Sequence, residues 1–123
     1  MGAMFGKCFA RLRREKLGVS LRQFCRDHNF DPGNISKLER GKLPPPQSRQ
    51  KLEQYASALG LTEGSDEWYE FFDTAFAERG ELPEDLASDE ALVGQLPVLF
   101  RTLRGDAVAR EELEELLNKL RRA

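Results

Sequence analysis

The chain of 123 residues holds only two cysteines, Cys8 and Cys25, and a single histidine, His28. Two cysteines cannot staple a disulfide framework or complete a zinc site, so a reducing cytoplasmic setting is the expectation. One histidine leaves no Cys/His pair for nucleophilic catalysis and no histidine cluster for a metal. No glycine-rich phosphate loop is present either, so no enzyme, cofactor or metal is expected. Long apolar runs are also missing. Nothing approaches the roughly 18 residues of a membrane span, and no signal-peptide pattern opens the chain. β-branched aliphatics are scarce, at one isoleucine and four valines, and no alternating pattern persists, which argues against strands.

What is abundant is charge, unevenly spread. Residues 1–56 carry 12 Lys+Arg against 5 Asp+Glu, a net of +7; residues 57–123 carry 7 against 16, a net of −9. A basic half joined to an acidic half points to nucleic-acid binding by the first.

Helical periodicity recurs along the chain. Phe5, Phe9 and Leu12 form an apolar stripe on a first helix ending near Gly18. Ser20 is placed to cap a second helix with Leu21, Phe24 and Cys25 inward. His28-Asn29-Phe30 makes a turn, Asp31 caps a third helix with Pro32 in its first position, and Gly41 closes it. "LPPPQS" (43–48) is a stiff connector whose last proline is expected to open a fourth helix carrying Leu52, Tyr55, Ala56 and Leu59. Ser65 introduces a fifth with Trp68, Phe71, Phe72, Ala75 and Phe76 on one face. "GELPED" is expected to be a turn. Two short helices are expected around Leu92–Leu96 and Val98–Leu103, with a break or kink at Pro97 between them. Asp106 caps a last helix with a leucine stripe, Leu113, Leu116, Leu117 and Leu120. The expected fold is therefore all-α.

Two short helices joined by a tight turn, the second poor in apolar residues, form a helix-turn-helix pattern. In "DPGNISKLERGK" (31–42) only Ile35 and Leu38 are needed to pack on Phe24 and Cys25. The other faces stay free for DNA. Pro32 and Gly33 are small enough for close approach, Asn34, Ser36 and Lys37 supply donors and acceptors, and Arg40 and Lys42 suit phosphates.

Residues 5–61, through "LR", "LGVS", "NISKLERGK" and "LEQYASALGL", resemble the lambda-repressor-like (Cro/repressor, XRE-type) helix-turn-helix family. The resemblance implies a bundle of four or five helices that binds operator DNA, usually as a symmetric dimer. It implies that Ser20 caps helix two and touches a phosphate. Leu21 stands where a DNA-reaching Gln is frequent, which passes the phosphate role to Arg22 and Gln23. It places Pro32, Gly33, Asn34, Ser36 and Lys37 toward the major groove, with base reading resting on Asn34 and Lys37. It also implies an ion pair between Glu39 and an arginine of helix one. Register from Phe5 and Phe9 nominates Arg13, counting back from Gly18 nominates Arg14, and Arg13 is preferred.

The expected division is a DNA-binding domain over 4–61 and an acidic helical extension over 62–123. Aromatic density in the extension, and its leucine stripe, suggest dimerisation or partner binding through Trp68, Phe72, Leu113, Leu116, Leu117 and Leu120. Residues 65–105 are also similar to the C-terminal part of compact bacterial and phage regulators, many of them antitoxins. The leading expectation is a dimeric repressor on a palindromic operator. An antitoxin that binds a toxin through 62–123, and an interaction adaptor without DNA binding, are the alternatives.

Overall fold

The computed structural model describes residues 4–105, 110–115 and 118, and every element among them is helical. The chain divides into two compact units, 1–83 and 84–123. The first contains α1 (Met4–Leu12), α2 (Leu21–His28), α3 (Pro32–Glu39), α4 (Arg49–Ala58) and α5 (Asp66–Arg79).

Phe9 is the hub of the first unit. Its ring meets Phe24 of α2 at 5.6 Å, Tyr55 of α4 at 5.4 Å and Phe71 of α5 at 6.2 Å. The Phe5 ring also meets Phe71, tilted, at 4.9 Å. The amphipathic stripe of α1 is thus enclosed on three sides, and its phenylalanines are fully buried. Aromatic edges and faces in this arrangement add to the plain burial of apolar area. Gly6 allows an equally close contact on another side. A Cβ built there would lie 2.3 Å from the carbonyl oxygen of Leu38 and 2.6 Å from that of Glu39, so α1 rests directly on the last turn of α3.

α1 continues into a π-helical turn, Arg13–Leu17, closed by Gly18 in the left-handed region with its N–H on the Arg13 carbonyl at 3.1 Å. Ser20, Ser48 and Ser65 each accept a main-chain N–H at the starts of α2, α4 and α5, satisfying donors that have no intrahelical partner.

Three expectations are corrected here. The boundary at 61/62 separates residues that pack together: Phe71, Phe72, Ala75 and Phe76 of α5 lie in one core with Phe5, Phe9 and Leu52. Phe72 is therefore a buried residue of its own protomer, and Trp68 packs half-buried on that core, its ring 4.4 Å from Phe72. Phe71, Phe72 and Phe76, with Trp68 against them, are used within this core, while Tyr69 and Phe100 stay exposed. Pro46 does not open α4; Pro45 is buried, the connector runs on, and Ser48 is the cap, its hydroxyl accepting from Lys51 N at 3.3 Å.

Residues 80–83 form the expected turn, and the second unit, taken by itself, begins with α6 (Glu84–Ala87), which takes in the last two residues of "GELPED", and α7 (Glu90–Leu103). Pro97 lies inside α7 without breaking it. Pro97 and Val93, whose carbonyl would have met the missing N–H, are both exposed, so water can take the freed acceptor. Leu113 is half-buried on a helical stretch over 110–115; Leu116, Leu117 and Leu120 lie outside the described residues.

Candidate nucleic-acid interface

The geometry of the α2–α3 segment follows from its end signals. Ser20 Oγ accepts from Gln23 N at 3.1 Å and starts α2. Asn29 ends it in the left-handed region, φ 58°, where asparagine is among the few tolerated non-glycine residues. Two residues later Asp31 accepts from Asn34 N at 3.0 Å, and Pro32 occupies the first position of α3. At the other end Gly41, φ 75°, lets Lys42 N reach the Lys37 carbonyl at 2.8 Å while its own N–H meets Leu38 O at 3.1 Å. That pair of bonds is a Schellman closure. α3 is thereby fixed at both ends within eight residues.

Its faces divide sharply. Ile35 and Leu38 are buried, in one cluster with Phe24 and Cys25. Pro32, Gly33, Asn34, Lys37 and Arg40 are exposed, as is Lys42 just beyond, while Ser36 is half-buried at the edge. Asn34 and Lys37 are one turn apart and share the outward side. On α2, Ser20 and Arg22 are exposed. Gln23 is half-buried, and its amide donates to Asp27 Oδ1 at 2.7 Å. That bond commits the side chain to a carboxylate, which leaves Gln23 less free for a phosphate than Arg22.

The orientation of α3 against α1 is held by Arg13. Its guanidinium forks onto Glu39, Nε to Oε2 at 2.8 Å and Nη2 to Oε1 at 2.9 Å, and Nη1 donates to Val19 O at 2.8 Å. The bond to Glu39 raises the Arg13 pKa further above its ordinary value, against the opposing effect of burial. Arg14, exposed, instead bonds the Ala10 carbonyl at 3.2 Å. The π-helical turn explains why counting back from Gly18 nominated Arg14: Gly18 N–H reaches five residues back to the Arg13 carbonyl, so one extra residue occupies that turn.

Charge pairing separates two sets of cations. Arg11 pairs with Glu70 and Lys16 with Glu67 of α5; Arg49 pairs with Glu53 and Arg79 with Glu81. Among the described residues, none of Arg22, Arg26, Lys37, Arg40 and Lys42 is in an ion pair. The acidic helix α5 thus pairs with Arg11 and Lys16, whereas these five cations of the helix-turn-helix, like Lys7 and Arg14, stay outside any ion pair among the described residues. Arg26 was not singled out from the sequence. It stands four residues after Arg22 on α2, and both border an open cleft of about 410 Å³ with Asn29 and Pro32. The i, i+4 spacing was the available signal.

Both cysteines are buried and unpaired. Burial is the main cause raising each thiol pKa, reinforced by Glu70 at Cys8 and Glu39 at Cys25, so neither is an activated nucleophile. Among the described residues no group of His, Cys, Asp and Glu could hold a metal ion, and no helix is long and apolar enough to cross a membrane.

A capped two-helix unit with a small outward face on its second helix and unneutralised cations around it defines a DNA-binding helix-turn-helix domain. Residues 5–68 match the family model for the helix-turn-helix domain, and the chain belongs to that family, in its Cro/XRE form. No curated protein and no solved structure matches the chain.

Proposed function

We propose that this protein is a sequence-specific transcriptional repressor that works in the cytoplasm as a dimer, each copy placing α3 in one half-site of a palindromic operator. The observation that carries this reading is the set of five unpaired cations on and beside α2 and α3. Cations without internal partners are available to displace counterions from a duplex, which is where most of the affinity of such proteins originates. Asn34 and Lys37 supply base reading; Ser20, Arg22, Arg40 and Lys42 supply phosphate contacts, with Gln23 secondary. Repression follows by occupancy, since a bound dimer excludes polymerase from the same DNA.

Dimerisation is supported by α7, which carries no charged residue from Ala91 to Phe100 and leaves Val93, Phe100 and Leu103 at 40%, 46% and 70% exposure. A palindrome requires two recognition helices about one DNA turn apart, and an apolar helix shared between copies can provide them. The same exposed helix supports a second reading, an antitoxin-type regulator whose 84–123 unit binds a toxin-like protein. Fluorescence anisotropy with DNA from upstream of its own gene and with a shuffled duplex, alongside sedimentation of the free protein, tests the proposal. Preferential, salt-sensitive binding by a dimer is expected. Equal affinity for both duplexes would remove the sequence-specific reading, and no binding to either would leave an interaction adaptor.

A further inference from the structure

The segment following α3 runs through Pro44, Pro45 and Pro46 before Ser48 caps α4. Three consecutive prolines stiffen a chain but remove three N–H donors, so such a connector can be tied by its backbone only through its carbonyls. One of these is held from outside. Arg79, the last residue of α5, donates Nη1 to the carbonyl of Pro46 at 2.6 Å and Nη2 to Glu81 at 2.8 Å. Its guanidinium lies over the Phe76 ring at 4.7 Å, its side chain is 11% exposed, and its Nε is buried without a partner.

A guanidinium largely removed from water with one N–H unsatisfied is a costly way to fill space beside a phenylalanine. Methionine would fill the same gap without that cost. What only the fork provides is a donor on Pro46 and another on Glu81 at once. We propose that Arg79 is a positioning residue for DNA binding: from the end of α5 it fixes the proline connector, and so holds Lys42 and the start of α4 in place against the duplex backbone. The inference rests on the DNA-binding reading above. Arg79 itself touches no DNA.

The test uses the full chain and a duplex of about 30 base pairs, roughly three helical turns, carrying the upstream sequence. Arg79→Met keeps the packing and removes both bonds. It is expected to retain or raise the melting temperature while weakening DNA binding about tenfold, the scale of one charge-assisted hydrogen bond. Arg79→Lys, which can still reach a carbonyl, should restore part of that loss. Lys42→Ala should weaken binding in the native background and add little in the Arg79→Met background, because the connector that presents Lys42 is already loose. Native-like binding by Arg79→Met overturns the proposal, as does strict additivity with Lys42→Ala. Failure of Arg79→Met to fold would make Arg79 a stability residue and also overturn it. A native protein that binds neither this duplex nor a shuffled one sinks the DNA-binding reading instead, a result distinct from all of these.

Discussion

Arg13 on the π-helical turn and Glu39 at the end of α3 form a forked ion pair with both side chains less than a tenth exposed. Such a pair contributes orientation more than net stability, because removing two charges from water offsets most of their attraction. Breaking it is another matter. Glu39→Ala leaves a buried guanidinium with only the Val19 carbonyl, and is expected to cost about 3–5 kcal/mol. The double variant Arg13→Met/Glu39→Leu should recover most of that loss. Urea unfolding of the three proteins decides the point; equal losses from the single and double variants would mean that the pair stabilises the fold outright.

Much of this arrangement was legible because it depends on short-range chemistry. Ser20, Asp31, Ser65, Gly18 and Gly41 end helices where their capping rules say they should. Ile35 and Leu38 were separable from Asn34 and Lys37 by helical spacing alone. What the sequence hid was long-range. Gly6 passes for an ordinary helix residue until the carbonyls of Leu38 and Glu39 are seen against it. Trp68 and Phe72 looked like a surplus because nothing local says that α5 folds back over Phe5 and Phe9. The acidic residues Glu67 and Glu70 likewise gave no sign that their partners are Lys16 and Arg11, more than fifty residues earlier.

The placement of α5 predicts where the chain can be cut. Each of Phe71, Phe72 and Phe76 is buried, and burying one such side chain is worth about 1.5–3 kcal/mol. Their sum is comparable to the whole stability of a small domain, about 5–15 kcal/mol. A fragment of residues 1–61 should therefore lack a cooperative melt by circular dichroism, while 1–83 should show one. A sharp transition in 1–61 would contradict the assignment of α5 to the first unit.

The two thiols predict an alkaline weakness. In the folded state burial holds Cys8 and Cys25 protonated beyond the ordinary thiol range. Above the free thiol value the unfolded chain loses these protons while the native chain keeps them, so unfolding is favoured as pH rises. The associated stability is fully present below that value and is lost as pH climbs from it through the raised folded values. Stability measured at pH 7 and near pH 10 should fall. The drop should shrink in Cys25→Ala, and further in Cys8→Ala/Cys25→Ala. Identical slopes in all three proteins would assign the alkaline loss to other groups, Tyr55 among them, whose pKa burial also raises.

The division of α3 into an inward and an outward side makes the most direct prediction about recognition. The main-chain N–H of Asn34 is already used by Asp31, but its side-chain amide makes no hydrogen bond among the described residues, and Lys37 has no ion pair. Both groups are thus free to bond base edges, which a phosphate-only contact would not require. Lys37→Ala should weaken the preferred site by about 1–3 kcal/mol and shuffled DNA by less, with Asn34→Ala in the same direction. Lys42→Ala, at the proposed phosphate contact, should weaken both duplexes alike and lower the salt slope by about one. Anisotropy titrations at several salt concentrations separate the two patterns. If Lys37→Ala also weakened both duplexes equally, Lys37 would join the phosphate contacts, and discrimination would have to rest on Asn34 and the close approach allowed by Pro32 and Gly33.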